Sequence, residues 1–196
     1  MENDLFQQVD GGPLPTSPLH CRVELCDFEE IINVFDRYHY KKSHMGGGIS
    51  FCMALKFKGR IMGGAVVGQP RHSGNYPGLL EIRRLACIDD APKNSESYFL
   101  SKIIWWIKKE KLAGGVLSYA DMSVGHVGTI YKAANFKCVG ETSRSNHVFW
   151  KGKRYHPRSL TIERPYSYLL RKAIATGEAV LEEGLPKKIY IYQIDR

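Results

Sequence analysis

An aspartate stands at the end of a short apolar run, a place where group-transfer chemistry could be carried out. The run GGVLSYA is typical of a strand buried in a sheet, and Asp121 follows it directly. The carboxyl ends of strands in open α/β sheets border the ligand crevice, so Asp121 could orient a substrate or accept a proton from it. The alternative is that Asp121 caps the segment near Ser123.

A histidine and a tyrosine follow the helix predicted for DFEEIINVFDRY, which has Asp27 as its N-cap. His39 could serve as a general base or a metal ligand, and Tyr40 could stack on a nucleic acid base. The alternative is an ordinary pair of surface aromatics at a helix end. His44 lies five residues beyond His39. That spacing fits no helical HxxxH face, so the two are candidate ligands without predicting a metal site.

An arginine pair lies in the predicted strand LLEIRRLACI. Side chains alternate along a strand, so Arg83 and Arg84 face opposite ways and one of them points to a covered face. A buried arginine needs a partner, which could be Asp121, Glu81 or a bound anion. A structural ion pair explains the pattern equally well.

The loop APKNSES stands where the next helix, YFLSKIIWWIKKEK, should begin. A helix start with free N–H groups attracts anions, and Lys93, Asn94, Ser95 and Ser97 would add a cation and polar donors for a phosphate. Alternatively, Asn94 or Ser95 only caps the helix. The nearby acidic residues favour the cap on composition alone, and no GxxxxGK[ST] motif is present.

These positions must be held by a sheet with helices around it. The predicted order is strand, helix, hairpin, strand, helix, strand, helix, strand, then a second hairpin turning at Lys151 and Gly152, a helix and a final strand. This order predicts an α/β (α+β) fold with a mixed central sheet and helices on both faces. Residues 1–18 read as a flexible arm, and residues 19–196 as one domain.

The composition of the chain bears on the cellular compartment in which we expect the protein. No run approaches the roughly 20 apolar residues of a membrane span, and the N-terminus lacks an apolar signal core. The five cysteines form no CxxC pair and are odd in number. We therefore expect reduced thiols, a cytoplasmic location and no membrane partner.

The net charge of +8 is concentrated in one stretch. Residues 132–172 hold ten Lys or Arg and two acidic residues, while the rest of the chain has 18 of each sign. Aromatic residues interleave with these cations, which is typical of a nucleic acid surface. A solvated face on a basic protein is the alternative. The predicted DNA-binding residues are Arg144, Lys151, Lys153, Arg154 and Arg158.

Three segments, LLEIRRLACIDDAPKNSES, LSYADMSVGHVGTIYKAANFKCVGET and FWKGKRYH, resemble the phage Mom family. The similarity covers roughly residues 36–162 and recurs in the LPKKIYIY end. The resemblance implies the GNAT acyltransferase fold. It also implies a transferase that converts adenine in phage DNA to an N6-carbamoylmethyl form, which hides the DNA from host restriction.

The resemblance assigns roles to individual residues. The loop 93–97 takes the place where GNAT enzymes bind the acyl-CoA pyrophosphate, which makes acyl-CoA (acetyl-CoA) a candidate cofactor, although the usual glycine-rich signature is absent. The family also adds iron as a candidate. Tyr131 takes the place of the tyrosine that protonates a leaving thiolate, with core packing of its ring as the alternative. His39 and Tyr40 fall at the acceptor site, and Arg84 matches the family's arginine.

The partner implied by the resemblance is double-stranded DNA in the bacterial host cytoplasm. An adenine amine inside a duplex is out of reach, so base flipping is expected, with Asp121 acting on the amine. Two rival functions stay open: a GNAT acetyltransferase for a small amine or a protein lysine, and a non-catalytic DNA-binding anti-restriction protein. A homodimer is also an open alternative, because nothing in the sequence sets the oligomeric state.

Overall fold

The structure, a computed structural model, describes residues 13–40, 48–71, 73–144, 146–163 and 165–194. His44 and most of the predicted N-terminal arm lie outside these residues. The four α-helices are α1 (Phe28–Tyr38), α2 (Ser95–Lys109), α3 (Thr129–Ala133) and α4 (Pro165–Ala175). Single 3-10 turns occur at Pro18–His20, Ser73–Asn75, Met122–Val124 and Pro157–Leu160.

Within the described residues, ten strands form two sheets. In chain order they are β1 (Arg22–Cys26), β2 (Ile49–Phe57), β3 (Arg60–Gly68), β4 (Leu79–Cys87), β5 (Gly115–Asp121), β6 (Lys137–Glu141), β7 (Asn146–Trp150), β8 (Lys153–Tyr155), β9 (Val180–Glu183) and β10 (Lys187–Gln193). The larger sheet has the order β1-β2-β3-β4-β5-β10-β6, and the smaller has the order β8-β7-β9. Strands β1 to β4 pair antiparallel, whereas β4 and β5 pair parallel. The predicted mixed sheet of an α/β fold is therefore confirmed.

The chain folds into two compact units. The first consists of Met1–Ser118, Thr129–Lys137 and Tyr190–Arg196, and the second of Tyr119–Gly128 and Cys138–Ile189. The single domain over residues 19–196 stays a prediction. Within the described residues, none of the helices has the length and apolar character needed to cross a membrane.

Helix α1 fixes the first unit's core on one side. It begins as predicted, because the Asp27 N–H donates to Glu30 Oε1 at 3.1 Å in a capping box. Its apolar stripe packs on β3 and β4. The buried cluster on this side consists of Ile31, Val34, Phe35, Cys52, Ala54, Val66 and Ala86. This packing sets the direction of the chain as it leaves α1 at His39.

The second unit is built on the three-stranded sheet and α4. Its core consists of Val148, Leu170, Ala173 and Ala179, with Trp150, Tyr155, Leu160, Tyr166 and Ile174 packed against them. The hairpin between β7 and β8 turns at Lys151 and Gly152, as predicted, with φ of +50° and +72°. Strand β9 is not predicted by the sequence pattern, because all four of its residues are exposed and half of them are acidic.

Candidate active site

Asp121 lies at the carboxyl end of β5 and is 6% exposed. Its Oδ1 accepts hydrogen bonds from the backbone N–H of Ser123 at 3.2 Å and from the Ser123 hydroxyl. The predicted cap of the following 3-10 turn is therefore confirmed. The second oxygen, Oδ2, lies 3.1 Å from Lys187 Nζ. The carboxylate is held from both sides within the second unit.

Lys187 is the partner that sequence reasoning missed. It opens β10, and its backbone is fixed by Thr142: the Thr142 N–H donates to the Lys187 carbonyl at 2.9 Å, and the Lys187 N–H donates to Thr142 Oγ1 at 3.0 Å. A nearly buried carboxylate needs a compensating charge, which Lys187 supplies. The LPKK run that resembles the Mom family contains this lysine and is the signal that could have found it.

His39, Tyr40 and Arg84 are gathered in the first unit around Phe35. The rings of His39 and Tyr40 stack with 4.6 Å between centroids, and His39 meets the Phe35 ring edge-on at 6.0 Å. The guanidinium of Arg84 lies 6.0 Å from the centre of the same Phe35 ring. Three predicted catalytic residues, one from β4 and two from the end of α1, therefore share one aromatic platform.

Arg84 is 8% exposed, and burial lowers its pKa from the ordinary value. The charges of Tyr40 and Asp36 raise the pKa, whereas that of Arg71 lowers it. Glu81, one of the partners considered for Arg84, accepts the backbone N–H of Arg71 at 3.0 Å. A buried guanidinium beside an aromatic platform can hold an anion or the edge of a planar group.

Tyr131 lies on α3 in the first unit. Its hydroxyl is hydrogen-bonded to that of Ser118 at 2.9 Å, and its ring stacks on Tyr190 with 5.1 Å between centroids. Ser118 Oγ also donates to the Ile82 carbonyl at 3.2 Å. A serine hydroxyl has a single proton, so Ser118 donates it at any one time either to the Tyr131 oxygen or to the Ile82 carbonyl. Burial, the largest cause, raises the pKa of Tyr131, and the Ser118 hydrogen bond opposes part of the rise.

The loop before α2 bears on the helix-cap alternative, and the phosphate-binding alternative stays a prediction. Asn94 occupies the N-cap position with φ +70° and makes no side-chain cap bond, so its predicted capping role is wrong. Ser95 is 1% exposed and donates its hydroxyl to the Pro92 carbonyl at 2.7 Å, which commits that hydroxyl to the loop. Ser97 donates to the Asn94 carbonyl at 3.1 Å. Lys93 is exposed.

The cations predicted to bind DNA lie in the second unit and differ in their partners. Arg144 pairs with Glu183 at 3.0 Å, and Arg154 pairs with Glu182 at 3.4 Å. Lys151 and Lys153 instead lie over aromatic rings. Arg158 is exposed, and its backbone N–H donates to His156 Nδ1 at 3.1 Å. The unpredicted β9 thus neutralises two of the five cations.

The two candidate metal ligands, His39 and His44, gain no support. Among the described residues, no group of three or more His, Cys, Asp or Glu is arranged to hold a metal ion. His39 is engaged with aromatic rings, and His44 is outside the described range. The described residues therefore do not support the iron that the resemblance added as a candidate.

A sequence model of the Mom protein family matches residues 20–196. The chain belongs to the Mom protein family. The methylcarbamoylase Mom of Escherichia phage Mu is 34% identical over 80 residues, which are 40% of this chain and 33% of that protein. This chain therefore spans about a third of the length of that curated relative.

The chain has the fold of the GNAT acetyltransferases. A Bacillus subtilis acetyltransferase solved with CoA superposes with a TM-score of 0.54 at 12% identity, over 89% of this chain and 99% of that one. A Staphylococcus aureus N-acetyltransferase gives 0.54 at 13% identity, with the same coverage of 89% and 99%. At such identities the likeness establishes the fold, which the sequence order and the resemblance had predicted.

Proposed function

We propose that this chain is a DNA-modifying transferase that attaches a carbamoylmethyl-type group to the N6 amine of adenine and so protects DNA from restriction. The observation that carries the proposal is the family match over residues 20–196. Every residue singled out as catalytic, including Asp121, lies inside that range. The matched phage relative supports the same chemistry through its name, methylcarbamoylase.

Asp121 is proposed as the residue that acts on the adenine amine. The N6 lone pair is delocalised into the purine, so the amine is a poor nucleophile and must be oriented and relieved of a proton as its new N–C bond forms. A carboxylate held by Ser123 and Lys187 has little freedom to rotate. Because its oxygens are fixed, the Asp121 carboxylate can be directed at one hydrogen of the amine.

Tyr131 is proposed as the proton donor to the leaving group. Its raised pKa keeps the phenol protonated at neutral pH, which is the state a general acid requires. The bond to Ser118 and the stacking on Tyr190 fix the direction of the hydroxyl. The proposed roles require an ionised Asp121 and a protonated Tyr131. Their surroundings fit these roles, since Asp121 is paired with a cation and Tyr131 lies among aromatic rings.

Arg84, His39 and Tyr40 are proposed to receive the target base. The exposed Tyr40 ring, 41% accessible, offers a stacking face, and Arg84, which lies over Phe35, can hold a polar edge or a phosphate. Double-stranded DNA is the proposed substrate, and the adenine must leave the helix to reach these residues. The stacked His39 supports the Tyr40 ring from behind rather than binding metal.

Acyl-CoA is the donor class that the fold implies, and the residues at the start of α2 fit its pyrophosphate in part. Backbone N–H groups of the first helical turn and the exposed Lys93 would hold it, because a helix start attracts anions. The hydroxyls of Ser95 and Ser97 are already donated to carbonyls. Bound there, an acyl thioester would supply an acyl carbon and a thiolate leaving group, which gives an N-acyl product. The N–CH2 bond of a carbamoylmethyl group therefore needs a donor with an electrophilic methylene carbon in addition to, or in place of, this thioester.

The proposal is tested by mass spectrometry of nucleosides from the DNA of cells that express this chain, beside an Asp121→Asn control. The control keeps the shape of the side chain and removes its charge. A new deoxyadenosine species present only with the wild type is the expected result, and its mass identifies the group. Unmodified DNA in cells with abundant folded protein and a supplied phage donor pathway would contradict the proposal.

An acetyltransferase acting on a small amine is the second candidate, favoured by the acetyltransferase fold alone. It leaves the basic hairpin of the second unit without a role. Turnover of acetyl-CoA with small amines in the absence of DNA would support it over the first.

A further inference from the structure

The hairpin of β7 and β8 ends in a tight turn that presents cations. Trp150 pairs with Lys153, so the loop has the two residues Lys151 and Gly152, both with positive φ. Two-residue turns with positive φ match the twist of the flanking strands, which makes such hairpins rigid. All three residues from Lys151 to Lys153 are exposed. The turn is therefore a rigid, exposed part of the hairpin and not a flexible loop.

Aromatic rings fix the two lysines of this turn. Lys151 Nζ lies 4.7 Å from the centre of the Trp150 ring, and Lys153 Nζ lies 5.4 Å from that of Tyr155. Both rings pack on the core of the second unit. Cation–π contacts at exposed sites contribute about 0.5–1 kcal/mol, enough to bias each side chain without neutralising its charge. Neither lysine takes part in an ion pair among the described residues.

The arginines beside this turn are placed differently. Antiparallel pairing of β9 with β7 sets Glu182 opposite His147 and Glu183 opposite Asn146. From there Glu182 reaches Arg154 and Glu183 reaches Arg144. The four side chains are 46–60% exposed. Exposed pairs of this kind contribute only about 0–1 kcal/mol, so a stronger anion can displace the glutamates.

We propose that this hairpin is a contact surface for the phosphates of duplex DNA, and that the two glutamates of β9 lower its affinity for DNA. Lys151 and Lys153 contact phosphates as they stand, and Arg144 and Arg154 exchange a carboxylate for a phosphate when DNA binds. The inference rests on the proposed function, because it names the surface that would hold the DNA substrate.

The test is binding of a short labelled DNA duplex to the full chain, followed by fluorescence anisotropy from about 50 to 200 mM KCl. The double variant Lys151→Ala/Lys153→Ala is expected to bind on the order of tenfold more weakly. Its plot of log affinity against log salt is expected to be shallower by about 2, one for each lost phosphate contact. The variant Glu182→Gln/Glu183→Gln is expected to bind several-fold more tightly, with a steeper salt dependence.

A matched control removes two charges elsewhere. Lys102 and Lys108 lie on α2 in the first unit, and Lys102 also lies over a ring, 5.3 Å from Tyr98. The variant Lys102→Ala/Lys108→Ala is expected to bind DNA as the wild type does. Circular dichroism and melting temperature establish that all variants are folded.

Each outcome separates the hairpin surface from the proposed function. Equal binding by wild type and Lys151→Ala/Lys153→Ala, while wild type still modifies adenine in cells, overturns the hairpin surface and leaves the proposed function standing. An equal loss in the α2 control also overturns it, because charge alone would then explain binding. Unchanged affinity of Glu182→Gln/Glu183→Gln overturns the competition by β9. A wild type that neither binds nor modifies DNA overturns the proposed function itself.

Discussion

Lys187 and Asp121 form an ion pair in which the ammonium lies 3.1 Å from Oδ2, with side-chain exposures of 33% and 8%. The carboxylate is thus the buried member, and the lysine remains open to solvent on one side. Under the proposed function Lys187 is therefore a positioning residue, which orients Asp121 and does not itself contact the substrate. The pair also links the end of β5 to the start of β10, two elements far apart in the sequence.

Replacing Lys187 with methionine is expected to abolish most adenine modification and lower the free energy of unfolding by about 1–2 kcal/mol. The reason is that Asp121 would be left nearly buried without its cation, and the partial exposure of Lys187 places the cost below that of a fully buried pair. Urea unfolding and nucleoside mass spectrometry measure the two effects.

Lys187→Arg serves as the matched variant, because it keeps the charge and should restore much of the modification. The double variant Asp121→Asn/Lys187→Met should be less unstable than the sum of the single changes predicts, since both partners are then uncharged. Additive single effects would show that the two side chains do not act on each other.

Replacing Tyr131 with phenylalanine is expected to reduce modification by about 100-fold and stability by only about 1 kcal/mol, because the ring is kept and one hydrogen bond is lost. Ser118→Ala is the companion variant, since it removes the partner and leaves the phenol. If Ser118→Ala proved as inactive as Tyr131→Phe, the hydrogen-bond network and not the phenol would be responsible.

Tyr131 also predicts a pH effect on stability. Its folded pKa is raised by burial, so its contribution is fully present below the ordinary tyrosine pKa of about 10 and is lost as the pH rises through the folded value. The difference in free energy of unfolding between wild type and Tyr131→Phe should therefore shrink from about pH 9 to pH 11. A constant difference across that interval would mean that the phenol is not desolvated.

Arg84→Lys is expected to lose adenine modification while the protein stays folded. A lysine keeps the charge but lacks the planar group that lies over Phe35, and the change should cost about 1–3 kcal/mol of stability. Arg83→Lys is the control, because Arg83 donates to the Gln69 carbonyl at 2.7 Å and carries no proposed role. Equal activity of the two variants would remove Arg84 from the proposed acceptor site.

Cysteine labelling tests whether the thiols of Cys26 and Cys87 in the first unit are shielded from solvent. Burial is the main cause that raises the pKa of Cys26 to about 12 and also raises the pKa of Cys87, so both thiols hold little reactive thiolate. Cys138 is exposed. Iodoacetamide at about pH 8 should alkylate Cys138 well before the other two, as read by peptide mass spectrometry. Comparable rates would show that the core around Cys26 and Cys87 opens readily.

Local features were predictable from the sequence because their causes lie within a few residues. The capping box of α1 needs only Asp27 and Glu30, and the tight hairpin needs only a glycine beside Lys151. The cap formed by Asp121 likewise depends on Ser123, two positions along. In the loop before α2 the expected side-chain cap is absent, since Asn94 adopts a left-handed backbone and makes no side-chain cap bond.

Contacts between distant segments were not predictable. Lys187 contacts Asp121 only because β10 returns to the sheet. The charge count placed all the excess positive charge in residues 132–172, but the sequence does not indicate that β9 pairs with β7 in that stretch. Nothing in the sequence assigned a partner to Glu182 or Glu183. Only the pairing of β9 with β7 shows that they face Arg154 and Arg144.

Strand β7 is flanked on both sides, by β8 and by β9. Its sequence, NHVFW, is aromatic and uncharged apart from the histidine, and it would be prone to self-association if one side were left open. A truncated chain that ended before Val180 would turn β7 into an edge strand with unpaired backbone groups. Shortened versions made for expression should therefore keep β9, since its loss would favour aggregation even where α4 and the basic hairpin are intact.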